Sequence, residues 1–252
     1  MKLKYWFRNF WQGLVGRAEL SYSKVNAYQL CPWKYKLIYV DGWRTPPTPQ
    51  ISLGLTIHRT IEAYHQRQSK LLEELLEIYD EKWVNEGFDH PQETVGFYER
   101  GRKMLVAFFN KMATRDARTV YFEQDFEFPL QRHKVRGIID CIDQHPDGSY
   151  ELIDYKTHAE VWSQEKVDSD LQLTIYSLGC WMALKIRPKR YSYYFLSHDR
   201  IISTTRTAEQ EASALQLLKD VGQKIVRREF TADTRHCYYC DFRYKCHYAK
   251  LS

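Results

Sequence analysis

Hydrophobic and polar positions change their rhythm once along this chain, near Thr119. Before it, apolar residues recur at three- and four-residue intervals, the period of an amphipathic helix. "SYSKVNAYQLCPWKYKLIYV" reads as a short helix capped by Ser21 or Ser23 and ending near Cys31-Pro32, because proline disfavours helix at the residue before it. "TPPTPQ" is a proline-rich loop. The helical pattern resumes over residues 53–78 and again over 94–113. From Thr119, "TVYFEQDFEFPL", "HKVRGIIDCIDQH" and "SYELIDYKTH" are β-rich runs, the last two joined by the turn signal "HPDGS". A helix is expected at about 165–186, stopped by Pro188, then strands in "RYSYYFLSH" and "RIISTTRT". "TAEQEASALQLLKDVGQKIVRREF" closes the series as an amphipathic helix with a Thr207–Gln210 capping box. Helices, three strands, a helix, two strands and a helix imply an α/β core around a mixed sheet. The cysteine-rich last twenty or so residues read as loop.

Composition is that of a globular chain: 252 residues, 27% of them charged, so wholesale disorder is excluded. Aromatic residues reach 15%, which suits both a large core and surfaces for stacking nucleobases. The net charge is +5, and it is uneven. Residues 1–44 carry Lys2, Lys4, Arg8, Arg17, Lys24, Lys34, Lys36 and Arg44 against only Glu19 and Asp41. Such a basic arm is either a solvated face or a grip on a polyanion. No run approaches the roughly 20 apolar residues of a membrane span, and "MKLKYWFRNFWQGLVGR" lacks the apolar stretch of a signal peptide. The expectation is a cytoplasmic protein without membrane contact, whose six cysteines are thiols or metal ligands rather than disulfides.

Two neighbouring runs carry the candidate chemistry. In "ELIDYKTH", side chains alternate across the strand, so Asp154 and Lys156 share a face with Leu152, about 6 to 7 Å apart, while Ile153 and Tyr155 point away. Asp140 of "VRGIIDCID" then lies opposite or diagonal to Asp154. Adjacent carboxylates repel, and a hard divalent cation is what reconciles them. An exposed Asp–Lys pair is the alternative. Asp143, Asp147 and Glu151 read as a solvated edge and turn.

The tail sequence "HCYYCDFRYKC" spaces Cys237, Cys240 and Cys246 as C-x2-C-x5-C, a metal-binding pattern one ligand short. Cys31, Cys141, Cys180 and His247 are the candidates for the fourth. Cys141 and Cys180 read as core, whereas Cys31 precedes a proline in a loop suited to ligation.

"RGIIDCID" followed by "YELIDYKTH" resembles motifs of the PD-(D/E)XK nuclease superfamily, in its RecB-like branch. The same branch has a G-x-x-x-H helix, matched by Gly54 to His58, and a Q-x-x-x-Y helix, matched by Gln172 to Tyr176. The resemblance implies a restriction-endonuclease-like α/β core in one domain over 1–252. Within it, 1–52 is the basic segment, 53–230 the nuclease core and 231–252 the cysteine-rich tail. It implies that His58, Asp140, Asp154 and the Tyr155 carbonyl bind Mg²⁺ or Mn²⁺, that Lys156 assists hydrolysis with Asp140 and Asp154, and that Gln172 and Tyr176 line the site. The distant cysteine plus C-x2-C-x5-C is similar to the arrangement of AddB-type nucleases and CRISPR-associated exonucleases. There Cys31, Cys237, Cys240 and Cys246 would hold a [4Fe–4S] cluster, with Zn²⁺ the alternative.

The implied activity is a DNA nuclease, more an exonuclease than an endonuclease, acting on single strands in repair or CRISPR spacer acquisition. No helicase motif is present, so the nuclease would stand alone or act with partners from other chains, CRISPR adaptation or recombination proteins among them. Lys24, Trp33, Lys34, Tyr35 and Lys36, with Arg235, Tyr238, Arg243 and Lys245 of the tail, would grip the strand. The rival reading is a catalytically silent DNA-binding scaffold with the same fold.

Overall fold

The computed structural model describes residues 16–68 and 70–250; Lys2, Lys4 and Arg8 of the basic arm lie outside them. A short strand β1 (Glu19–Leu20) leads into α1 (Tyr22–Leu30), capped by Ser21, whose hydroxyl accepts from Lys24 N. Cys31 separates α1 from α2 (Pro32–Tyr35), which runs on as a wider π-helical turn over Lys36–Val40. Three helices follow: α3 (Pro49–Arg67), α4 (Leu72–Lys82) and α5 (Pro91–Thr114). The pattern that reads as one helical stretch over 53–78 is thus two helices. Gln68 turns left-handed at φ 53° and lets α4 fold back.

The strands are β2 (Arg118–Leu130), β3 (His133–Gln144), β4 (Tyr150–Lys156), β5 (Arg190–Phe195) and β6 (Arg200–Thr204). The expected helix over 165–186 is also broken. It forms α6 (Gln164–Asp168) and α7 (Leu171–Gly179), extended by a π-turn over Cys180–Leu184, because Asp170 caps a new helix by accepting from Leu173 N. The last helix, α8 (Ala208–Val226), begins with the expected capping box.

The sheet has six strands in the order β1-β3-β4-β5-β6, with β2 on the other side of β3. It is mixed: β1–β3 and β4–β5 are parallel, the rest antiparallel. Helices cover both faces. On one, α3, α4 and α5 pack Ile57, Leu75, Ile78, Leu105 and Phe108 against Cys141, Ile153, Tyr155 and Tyr194. On the other, α1, α7 and α8 pack Val25, Leu173, Ile175, Leu218 and Val221 against Leu152, Tyr193 and Phe195. Each such side chain taken from water contributes about 1.5 to 3 kcal/mol. Among the described residues no helix is long and apolar enough to cross a membrane.

One irregularity positions everything that follows. Along one side, β3 pairs with β1 at Lys134 and Val135, then with β4 only from Cys141 to Gln144. Between those ladders the residues from Arg136 to Asp140 have no strand beside them on that side. The β3–β4 ladder ends at Cys141↔Ile153, one step before Asp140 and Asp154 would face each other.

Candidate active site

The sheet opening gathers the charged residues. On α3, His58 is placed with Nδ1 3.8 Å from Glu123 Oε1 and 3.7 Å from Asp140 Oδ2. One ligand atom from each of His58, Glu123 and Asp140 lies within 4.8 Å of the others, close enough to share a cation. Tyr155 N donates to Asp140 Oδ2 at 2.7 Å and fixes that carboxylate.

Glycines let these elements approach. A Cβ on Gly54 would stand 3.2 Å from Thr157 Oγ1, so the glycine one turn before His58 brings α3 onto the end of β4. A Cβ on Gly137 would stand 2.6 Å from the Phe126 ring and 3.3 Å from Tyr176 Cε1. That glycine makes room for α7 beside Asp140.

Asp154 lies apart from the triad in its bonding, though its charge reaches Asp140 and His58. Gln172 Nε2 donates to Asp154 Oδ2 at 2.8 Å and to Tyr176 Oη at 3.0 Å. Lys156 Nζ donates to Gln172 Oε1 at 2.9 Å and sits 2.6 Å from Asp154 Oδ1. That Oδ1 is buried and, despite the close ammonium, accepts no well-directed hydrogen bond. Gln172 therefore bonds to both members of the Asp154–Lys156 ion pair, with Tyr176 beside it.

Electrostatics show how unfavourable the acid cluster is by itself. Burial pushes the Asp140 carboxyl up to about 7, and the Asp154 charge adds to it against the opposing pull of His58 and the Tyr155 N–H. Burial works to lower the His58 imidazole. Glu123, too far for a full hydrogen bond, outweighs it together with Asp140 and Asp154, and the imidazole rises to about 9. Carboxylate oxygens plus one imidazole are a donor set suited to a divalent cation. The buried Asp154 Oδ1, ion-paired to Lys156 but without a well-directed hydrogen bond, fits the same reading.

Glu123 has no counterpart in the sequence reading. It stands at φ 42°, a left-handed conformation costly for a side chain with a Cβ, within a strand that also holds Asp125 and Glu127. Nothing in that alternation distinguishes it from its neighbours before the strand is paired.

Other expectations need correction. Asp143 and Glu151 are not a solvated edge: they are 2% and 3% exposed. They sit opposite each other across β3 and β4, with Arg115 Nη2 2.9 Å from Asp143 Oδ2 and 3.2 Å from Glu151 Oε2. Thr119 and Ser192 donate to their other oxygens. Asp147 is exposed and accepts from Ser149 in the turn, as expected. Of the proposed strand-gripping residues, Tyr35 is buried, Lys34 pairs with Asp241 at 2.8 Å and Lys36 with Asp41 at 2.6 Å. Arg235 pairs with Asp233.

A cavity of about 720 Å³ opens at Asp140, Gln172 and Tyr176 and runs past Tyr22, Lys24 and Tyr39. A second, of about 130 Å³, is lined by Cys31, Cys237, Cys240 and Cys246 together. The four thiols are free and half-buried, whereas Cys141 and Cys180 are core residues. Cys31 Sγ accepts from Lys34 N at 3.4 Å and from Asp233 N at 3.3 Å. Trp33 packs edge-on against His247 and Tyr248, so the segment after α1 and the tail are joined around this cavity.

Residues 19–247 match the model of the PD-(D/E)XK nuclease superfamily. The chain is similar to the Gene 69 protein of Mycobacterium phage D29, 25% identical over 70% of this chain and 74% of that protein. It is also similar to the Gene 69 protein of Mycobacterium phage L5, 21% identical over 90% of this chain and 95% of that protein. A solved Eubacterium rectale structure, provisionally described as an exonuclease, shares the fold at a TM-score of 0.56 and 10% identity. It covers 97% of this chain and 92% of that one.

Proposed function

The chain belongs to the PD-(D/E)XK nuclease superfamily, and on that footing we propose that it is a divalent-metal-dependent deoxyribonuclease of the RecB-like branch, working as an exonuclease on single strands. The observation that carries the reading is the grouping of His58, Glu123 and Asp140 beside an Asp154–Lys156 pair, where the β3–β4 ladder ends. A scaffold has no need to hold mutually repelling, buried carboxylates in place.

His58, Glu123 and Asp140 would hold the cation, with Asp154 and the Tyr155 carbonyl as further donors. When bound, the metal supplies a water acidic enough to attack and neutralises charge on the phosphate. The protein does the rest. Tyr155 N and Gln172 orient the carboxylates of Asp140 and Asp154. Lys156, held by Gln172 and Asp154, directs its ammonium to where negative charge builds on the phosphoryl oxygens. The large cavity beginning at Asp140 gives the strand a path, lined by Tyr22, by Tyr39 packed against Tyr35, and by Lys24, which is ion-paired with Glu19.

The cysteine-lined cavity supports a second part of the reading. The four thiols line one cavity and make a donor set for a [4Fe–4S] centre, with zinc the alternative, and the N–H groups aimed at Cys31 Sγ are of the kind that tune such clusters. Its role is to staple the segment after α1 to the tail.

The test is degradation of end-labelled and circular DNA, single- and double-stranded, with Mg²⁺, Mn²⁺ or EDTA, beside Lys156→Ala. Metal-dependent loss of linear single strands, with circles spared, is expected. A wild type as inert as Lys156→Ala on every substrate would overturn the proposal.

A further inference from the structure

We infer that Tyr193 and Trp162 are positioning residues for Lys156, their rings forming a corner that holds its ammonium at the site. The inference rests on the reading of Lys156 as the residue that acts on the phosphate.

Lys156 is the last residue of β4, and a lysine there has a four-carbon stem free to swing toward solvent. Its Nζ instead lies 4.7 Å from the Tyr193 ring centroid and 5.8 Å from that of Trp162, within the reach of cation–π attraction. The two rings stand 5.0 Å apart at 79°, giving two walls. Pairing of β4 with β5 sets Tyr193 beside Asp154, and so on the face that Asp154 and Lys156 share. The Tyr193 hydroxyl donates to Asp170 Oδ1 at 2.6 Å, and Asp170 caps the helix that presents Gln172. Trp162 is fixed in turn: His158 stacks on it at 5.3 Å and 24°, and Lys166 Nζ lies 4.1 Å from its centroid. An indole between two ammonium groups is poorly placed for packing alone.

Four variants test this: Trp162→Leu, Trp162→Phe, Tyr193→Leu and Tyr193→Phe, each assayed on single-stranded DNA with Mn²⁺. The leucine variants should lose about five- to thirty-fold in kcat with KM within about two-fold, and the phenylalanine variants should recover most of it. Since Tyr193 is fully buried and its leucine variant could unfold, the half-buried Trp162 carries the same test independently. A readout independent of cleavage is the NMR signal of the Lys156 ε-methylene, identified by its loss in Lys156→Ala. Ring currents should move it upfield in the wild type, and it should return toward ordinary lysines in Trp162→Leu. An ε signal already at the ordinary position, or a folded Trp162→Leu with unchanged kcat, overturns the inference. An inert wild type with a shifted ε signal would instead defeat the cleavage reading and leave the cradle standing.

Discussion

Tyr155 N donates to Asp140 Oδ2 at 2.7 Å, across the place where the β3–β4 ladder has just ended. The backbone between Asp154 and Lys156 thereby holds the acid of the neighbouring strand. The two runs that carry Asp140 and Asp154 are thus tied together by a side-chain-to-backbone bond where the ladder itself gives none.

Glu123 is expected to belong to the metal site. Glu123→Gln keeps shape and removes the charge, and should weaken Mn²⁺ binding by about 10- to 100-fold. Metal titrations followed by calorimetry check it; an unchanged isotherm would place Glu123 outside the site.

Lys156 should matter to the chemistry more than to the fold. Lys156→Ala is expected to lower kcat by about 10²- to 10³-fold, the usual cost of losing one oriented charge-stabilising group. The variant should still fold, as circular dichroism checks, with a lowered melting temperature because the buried Asp154 carboxylate loses its ammonium partner.

Metal should stabilise the folded chain by relieving the Asp140–Asp154 repulsion. At about 100 times the Kd, linkage gives about 2.7 kcal/mol. Thermal melts with and without EDTA should show a concentration-dependent rise that Asp140→Asn abolishes.

In the metal-free protein, stability should fall as pH rises. Burial and Asp154 raise the Asp140 carboxyl to about 7, so the folded state holds its proton more tightly than the unfolded chain. The benefit is complete below about pH 4, the ordinary carboxyl range, and is lost as pH climbs through about 7. His58 acts with the same sign against the burial that opposes it: raised to about 9 by Glu123, Asp140 and Asp154, it stabilises fully below about 6.5 and ceases to do so above about 9. Urea melts in EDTA from pH 4 to 9 should show the decline, and Asp140→Asn should flatten its acidic half.

The cysteine cavity predicts colour. Anaerobically purified protein should be yellow-brown and contain iron, and Cys240→Ser should bleach it. Colourless, zinc-loaded protein would refute the cluster while leaving the acid site untouched.

The sequence alone determined the local grammar. Period changes set which segments are helix or strand, Ser21 or Ser23 and Thr207 were the candidate helix starts, of which Ser21 and Thr207 cap, and the motif resemblance proposed Gly54, His58, Asp140, Asp154, Lys156, Gln172 and Tyr176 as candidate site residues. It read Cys141 and Cys180 as core and Cys31 as a loop residue suited to ligation, and in the fold Cys31 lines one cavity with the tail cysteines while the other two are buried. Tertiary structure decided what each group touches. Glu123 enters only because β2 pairs along β3, whose rungs at Phe122–Cys141 and Gln124–Ile139 set it across from Asp140 and within reach of His58, 65 positions earlier. Asp143 and Glu151 are buried because Arg115, at the end of α5, reaches over their strands. Asp154 bonds to Gln172 because α7 crosses that face of the sheet. Alternation along a strand fixes which side a residue occupies, but its neighbour on that side comes from whichever distant segment packs there.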